Sequence, residues 1–533
     1  MESKEKRKWT LMFFFASDNN LSASMFYQLK SIKTAGFQVD TNVVAHFDPH
    51  ERGVPSMIFE VNRLEKEGKR KSRIGDAENP NPTIRDLAGD QVEPEISTDP
   101  CRCKSSSEFD DLPAEKALEQ FLDFSRKKYP ADHYMLFLVG HGMIVGRDAF
   151  LPDENPNTGI SLVELGSILR NFSEEVGEDG GTLELVGMHS CSMSGVEVAY
   201  QLKGTAKYMM ASEGLSFVGA WPYRQMLQNI FYSIEKGNTK VEDLVKSIHE
   251  LCLHNGADFI FAGYSSDLCL ISLEPKRVEA LNRPIEKLTK ALKAGLNDKR
   301  GEELIRLAHL KSQSFFQEVY TDLNDFCECL SEGCTESDDV QKAMKAACES
   351  VIYALKPEPD KQAKPNKEAK RKQEAKPRKQ VVGPIVQADF SGPDCQYSHG
   401  LSIYFPWAKP VEDASEHVIR NYRNYAFVTE LPGASWLQFL NAYFEKTERT
   451  PRAIKLTKDE QETWNFAAAA YKPFACQSGP TAITSAALTG KDSPADAGGT
   501  FSYSFVKNYS RDFVISNRAL KVFGNEKGRK KQT

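Results

Sequence analysis

The chain has 533 residues, with 68 Lys+Arg against 74 Asp+Glu for a formal net charge of -6, and it is 40% hydrophobic and 27% charged. That balance excludes a disordered chain, a collagen-like repeat and a small disulfide scaffold, and the length accommodates about three to four units of ordinary domain size. No apolar run approaches the roughly 18 residues of a spanning helix, so no membrane association is expected.

Taken in chain order, the first apolar run, Trp9–Ala16, is strand-sized. It follows the charged start MESKEKRK and lacks a small-residue cleavage site, which argues against a signal peptide and for a cytoplasmic protein. A helix is expected over about 22–34, a strand over 41–47 and a short one over 56–61. From Leu64 to Asp111 the chain is polar, contains Pro80, Pro82 and Pro100, and reads as a surface insertion. A helix over 114–128 then leads to a strand over 134–139. A second helix, 162–171, leads to 182–187, and a third, 193–202, to 208–211. This βαβα rhythm predicts an α/β fold with a mainly parallel sheet and helices on both faces. Beyond Trp221 the pattern is mostly helical (223–234, 241–253, 277–294, 302–330 and 340–355), with strands near 259–262 and 268–272. After a basic stretch, GLSIYF (400–405) reads as one more strand, with helices over 416–425 and 435–445. The expected organisation is a core over 8–355, a linker over 356–394, and a strand and helices over 395–449 completing the same core. Residues 450–533, ending in GRKKQT, form an extension with no assigned role.

The eleven cysteines are too sparse for a disulfide framework and read as free thiols in a reducing compartment. Cys101/Cys103 and Cys327/Cys329/Cys334 with Cys348 lack the paired knuckles of a structural zinc site, so no metal is expected there. Lys356–Gln380 holds ten Lys/Arg against four Asp/Glu, a net +6 that leaves -12 for the rest of the chain. Being Pro-punctuated and free of large apolar residues, it cannot bury a core. It also lacks the interleaved aromatics that stack on bases, so nucleic acid is not an expected partner.

Two strands end in loops with chemical potential. One delivers His141-Gly142, the other His189-Ser190-Cys191 directly ahead of a helical pattern. In an open parallel sheet functional groups collect at the carboxyl ends of strands, so the two loops face one crevice. A cysteine opening a helix would gain thiolate character from the helix dipole. The imidazole of His141 can take the thiol proton and return it to the leaving amine. The N–H groups of Gly142 and Cys191 can then serve a developing oxyanion. A buried structural cysteine beside a loop histidine would give the same local pattern.

The segments WTLMFFFASDNNL (9–21), KKYPADHYMLFLVGHG (127–142) and LELVGMHSCSMSGVEVAYQL (183–202) resemble the clostripain-like cysteine peptidases, relatives of the caspases, gingipains and legumains. YMMASEGLSFVGAWPY (208–223), VYTDLNDF (319–326) and GLSIYFP (400–406) continue the likeness in the family's order. The resemblance implies a caspase-like fold and an endopeptidase acting on protein or peptide substrates through a dyad, which falls on His141 and Cys191. It implies cleavage after Arg or Lys, and a substrate-binding wall formed here by Ser212, Glu213 and Trp221. Relatives place an acid two residues before the cysteine to hold the basic side chain; this chain has His189 there, expected to line the pocket rather than act as the base. Either another acid such as Glu213 neutralises the substrate cation, or the preference has shifted.

The resemblance further implies a zymogen matured by cleavage, by itself, another protease or a regulatory partner, in a stress or defence cascade. Arg147 in the loop after His141, and the Lys356–Gln380 linker, are the candidate processing sites. Calcium enters by resemblance only, since no D-x-[DN]-x-[DN]-G loop is present, and no other cofactor is expected. The competing reading is a catalytically silent caspase-like scaffold that recruits partners through its linker and tail.

Overall fold

The structure is a computed structural model. It describes residues 5–36, 38–50, 56–61, 91–93, 112–142, 150–154, 157–237, 240–256, 264–316, 319–356, 382–407, 421–431 and 435–449. Its centre is a nine-stranded sheet. The strands are β1 (Arg7–Phe15), β2 (Thr41–Phe47), β3 (Met57–Glu60), β4 (Gln91–Glu93), β5 (Ala131–Val139), β8 (Thr182–His189), β9 (Tyr208–Ala211), β10 (Ser266–Ser272) and β13 (Ile385–Ser391). A hairpin of β6 (Phe150–Glu154) and β7 (Asn157–Ile160) lies outside it. So does a small sheet of β11 (Ser314–Phe315), β12 (Tyr320–Asp322) and β14 (Ser402–Tyr404).

The order across the large sheet is β13-β10-β9-β8-β5-β1-β2-β3-β4. The five central strands, β9 to β2, pair in parallel, as the βαβα rhythm predicts. Both flanks are antiparallel, so the sheet is mixed rather than mainly parallel throughout. The central strands are buried on both faces, which explains their near-continuous apolar sequences. Alternation within β1 divides them between two cores. Met12 and Phe14 join the core under Ala114–Lys128 and Leu162–Glu178, while Leu11, Phe13 and Phe15 join that under Ser22–Lys33, Tyr223–Lys236 and Val241–Gly256.

Local signals set the helix starts. Ser161 and Glu164 form a reciprocal capping box ahead of Leu162–Glu178, and Asp298, Asp322 and Asp338 each accept a backbone N–H at a helix N-terminus. Two expectations need correction. The helix read over 302–330 is two, Lys299–Lys311 and Leu323–Gly333, because Ser312 turns extended and the chain runs through β11 and β12. The linker read over 356–394 contains β13, which pairs antiparallel with β10 and completes the main sheet. β13 reads IVQADFS and lies half-buried at the sheet edge, so its composition hid it inside a polar stretch. GLSIYF instead supplies β14 to the small sheet, joined to the core by a bridge between Gly195 and Ser402.

The expected strand at 259–262, most of the 64–111 insertion, Cys101 and Cys103, Arg147, residues 357–381 of the basic segment and residues 450–533 lie outside the described residues. Among the described residues, no helix is long and apolar enough to cross a membrane.

Candidate active site

Neighbouring parallel strands β1, β5, β8 and β9 deliver their following loops to one edge of the sheet. Register pairs Val139 with His189, the last residues of β5 and β8. Gly140 N then donates to His189 O at 3.3 Å, and Ala16 N to Val139 O at 3.0 Å. The loops that carry His141 and Cys191 therefore start side by side. Gly142 lies on the Cys191 peptide: a Cβ there would overlap the Cys191 carbonyl oxygen and come within 2.8 Å of its amide nitrogen. Only glycine permits that approach.

Contrary to the expectation from sequence, Cys191 does not open the helix. The helix begins at Val196, after a turn in which Ser192 takes the left-handed conformation at φ 56°. That conformation is uncommon outside glycine and marks local strain at the turn that carries Cys191. It is held by Ser192 N donating to Gly214 O at 3.0 Å and Ser194 N to Ser212 O at 2.9 Å. The thiol is enclosed by the same crossing segment. Ser216 N donates to Cys191 Sγ at 3.4 Å, and Sγ faces Ser216 O at 3.8 Å. Cys191 is only 8% exposed, and burial pushes its thiol up to about 11. In this conformation the sulfur is a capped thiol, without the dipole-assisted thiolate that a helix N-terminus would give.

His141 is part-buried, and its Nε2 lies 2.7 Å from Asn20 Oδ1. Burial lowers its basicity from the ordinary imidazole value, which favours the neutral ring. Asn20 lies in the turn after β1, which ends at Phe15, and was not singled out from sequence. Its signal is positional: the Asp18-Asn19-Asn20 run sits at the carboxyl end of a central parallel strand.

The four residues expected to contact substrate gather around the Cys191 turn, but all four are buried. His189 is 1% exposed. Its Nε2 lies 2.7 Å from Phe217 O and its Nδ1 2.6 Å from the Tyr223 hydroxyl. A carbonyl only accepts, so Nε2 carries the proton and Nδ1 accepts from Tyr223. The ring stacks on Trp221 at 4.6 Å and 4°. Burial, opposed by the Phe217 carbonyl, lowers His189 to about 4. It is a neutral brace under the Ser216–Phe217 segment, with both ring nitrogens engaged. Trp221 is buried behind it and meets Phe137 edge-on. The Ser212 hydroxyl donates to Asp267 O at 2.8 Å.

Glu213 is 0% exposed and accepts Gly400 N at 2.9 Å. Burial first, then the nearby Asp322 and Asp267, hold its carboxyl well above the usual range, with Asp322 as hydrogen-bond partner. Burial disfavours the charged form of this carboxyl, which makes it a poor partner for a substrate cation. Position along the chain placed these residues near Cys191; which side each faces depends on strand register and on Asp267 and Asp322, brought in from other strands.

The described cysteines are free thiols, Cys327, Cys334 and Cys348 buried among them. Among the described residues, one group has metal-compatible geometry: the buried carboxylates of Asp18, Asp48 and Asp153, whose oxygens lie within 4.8 Å of one another. Such an all-oxygen set suits calcium or magnesium rather than zinc.

A cysteine and a histidine thus lie on adjacent strand ends of an α/β sheet, each held by backbone contacts, a layout compatible with a cysteine-type endopeptidase. The chain belongs to the clostripain family, whose model matches residues 13–440. It is 22% identical over 405 residues to clostripain of Hathewaya histolytica, covering 66% of this chain and 71% of that one. Among solved structures it is similar to an inactive zymogen C11 protease from Parabacteroides distasonis, at 16% identity and a TM-score of 0.47 over 79% of this chain and 97% of that one. It is also similar to a secreted C11 cysteine protease from Bacteroides thetaiotaomicron, at 12% identity and a TM-score of 0.48 over 80% of this chain and 100% of that one.

Proposed function

We propose that this endopeptidase works through a His141/Cys191 dyad and is made as a latent zymogen. The observation that carries the dyad is the seating of Gly142 on the Cys191 peptide, which brings the His141 loop to the nucleophile. His141 takes the Cys191 proton, and the sulfur attacks the scissile carbonyl. The N–H groups of Gly142 and Cys191 stabilise the oxyanion. Collapse of the intermediate expels the amine with the proton from His141, and water then hydrolyses the acyl-enzyme. Replacing Cys191 by Ala should abolish turnover of peptide substrates, and His141→Ala should lower it by about 10²–10⁴-fold. Wild-type turnover equal to that of Cys191→Ala would leave the silent scaffold, with its linker and tail as recruiting elements, as the better reading.

Latency is supported by the buried thiol beneath Ser216. Cleavage at Arg147 or within Lys356–Gln380, by the enzyme itself or by an activating protease, is the proposed trigger. N-terminal sequencing separates these routes, because nicking that persists in Cys191→Ala is not self-processing. A preference for Arg or Lys before the cut rests on the family likeness; His189, neutral and buried where relatives use an acid, argues for a weakened one. A substrate library with varied residues at that position, read against wild type and His189→Asp, measures it. A gain toward Arg substrates in the variant supports the same pocket position. Calcium, allowed by the likeness, would have a suitable donor set in Asp18, Asp48 and Asp153. There it would tie together the ends of β1, β2 and β6 beside the His141 loop, with no part in bond cleavage. The free thiols support a reducing, cytoplasmic setting, and a stress or defence cascade follows only by analogy with caspase-like relatives.

A further inference from the structure

We infer that Asn20 is a positioning residue of the dyad: its side-chain oxygen fixes His141 in the tautomer with the proton on Nε2, leaving Nδ1 as the base for Cys191. The inference rests on the dyad proposed above and adds a third member to it. An amide oxygen has lone pairs and no proton, so at 2.7 Å from Nε2 it accepts. A neutral imidazole protonated at Nε2 has its basic lone pair at Nδ1, and the hydrogen bond also sets the ring's rotation.

Asn20 is held for this by its neighbours. Asn19 is buried, and its Nδ2 donates to Ala16 O at 2.9 Å and Pro152 O at 3.1 Å, while its Oδ1 accepts Leu21 N at 3.0 Å. The turn is thus closed on itself and pinned to β6. The same strand holds the histidine, because Leu151 N donates to His141 O at 3.2 Å. The backbones that carry both partners are braced on one strand, which fixes where the two side chains start. Asp18, two residues earlier, would be the charged alternative. Its carboxylate is instead turned inward onto His50 Nδ1 at 2.8 Å, with Glu154 3.8 Å from the same ring. A carboxylate against Nε2 would stabilise the imidazolium; the amide orients the ring without charge and keeps it neutral, as a general base requires.

The test uses the full chain with ¹⁵N-labelled histidine, His141 being assigned by the signal lost in His141→Ala. Expected in wild type are a protonated Nε2 and an unprotonated Nδ1. Asn20→Ala should give a mixture of tautomers and lower kcat by about 10- to 100-fold, with KM little changed. Asn20→Asp should keep the Nε2 proton, recover most of kcat and move the acid limb of kcat/KM upward by about one pH unit or more. A wild-type His141 protonated at Nδ1 overturns the inference. So does an Asn20→Ala variant that keeps one tautomer, whether its activity holds or falls with its melting temperature. Wild-type activity no greater than that of Cys191→Ala would sink the dyad itself, while the tautomer measurement still decides the Asn20 contact.

Discussion

At the residue scale the Cys191 thiol is held in the wrong protonation state for immediate attack. Burial pushes Cys191 up to about 11, so thiolate is scarce at neutral pH while Ser216 covers the sulfur. Alkylation of Cys191 by iodoacetamide in the intact chain should therefore be slow at pH 7 and accelerate about tenfold per pH unit through pH 9, the rise being absent in Cys191→Ala. A pH-independent fast rate at pH 7 would show an already open site. His189 has the opposite displacement, from an ordinary 6.5 to about 4, with burial as the main cause. Its folded value lies below its unfolded one, so its contribution to stability is complete above about pH 6.5 and is lost as pH falls through about 4. His189→Ala removes two buried hydrogen bonds and a stacked ring, leaving the Phe217 carbonyl and the Tyr223 hydroxyl without it. A loss of about 2–4 kcal/mol in chemical unfolding is expected. A loss below about 0.5 kcal/mol would mean the imidazole does not brace that segment.

At the element scale the basic segment is an insertion between two ends that already meet. A Cβ on Gly383 would overlap the Ala354 carbonyl oxygen, and Arg277 Nε donates to Gly383 O at 2.8 Å, so the chain leaves and re-enters the fold at one point. Replacing 357–381 by a short Gly/Ser joint should leave unfolding free energy within about 1 kcal/mol of wild type, because closure entropy changes only slowly with loop length. Replacing β13 by a flexible sequence should cost more, since it strips β10 of its outer neighbour; the two variants compared by thermal melts separate a spacer from a structural strand. The +6 composition reads as unable to form a core, and the linker's expected end falls too late, past β13. Edge strands need little apolar character, so Ile385–Ser391 carried no compositional mark.

At the scale of the whole molecule, the chain beyond the linker is bound directly to the turn that follows Cys191. Ser194 Oγ donates to Gly400 O at 2.5 Å, Ser402 N to Ser194 O at 3.0 Å, and Gly400 N to Glu213. Beneath these contacts lies a buried acidic group. Asp322 accepts His399 N at 2.6 Å, and Asp267 accepts the N–H groups of Glu213 and Gly214. Burial, with Asp322 adding to it against the bonds from Glu213 and Gly214, raises Asp267 to about 6. Burial would lower His399, but its hydrogen bond and charge interaction with Asp322 outweigh that and raise it to about 9. Both folded values lie above the unfolded ones. The Asp267 contribution is therefore complete below about pH 4 and lost as pH rises through about 6, and that of His399 is complete below about 6.5 and lost through about 9. The melting temperature should fall between pH 6 and 9.5, and His399→Ala should flatten the upper part of that fall. A slope unchanged by the variant would remove His399 from the account.

Local sequence determined the central strands, the helices that flank them and the two loops that carry His141 and Cys191. Near-continuous apolar runs can only be buried strands, and the right-handed βαβ connection then brings their carboxyl ends together. Tertiary structure alone decided what those loops contain. The Asn20 contact, the Ser216 cover and the inward facing of His189, Ser212, Glu213 and Trp221 depend on partners drawn from β1, β9, β10, β12 and the segment beyond the linker. Such contacts leave no periodicity in any one segment. The spacing of residues along the chain locates a crevice, but the direction and charge of the side chains within it are set by what packs behind them.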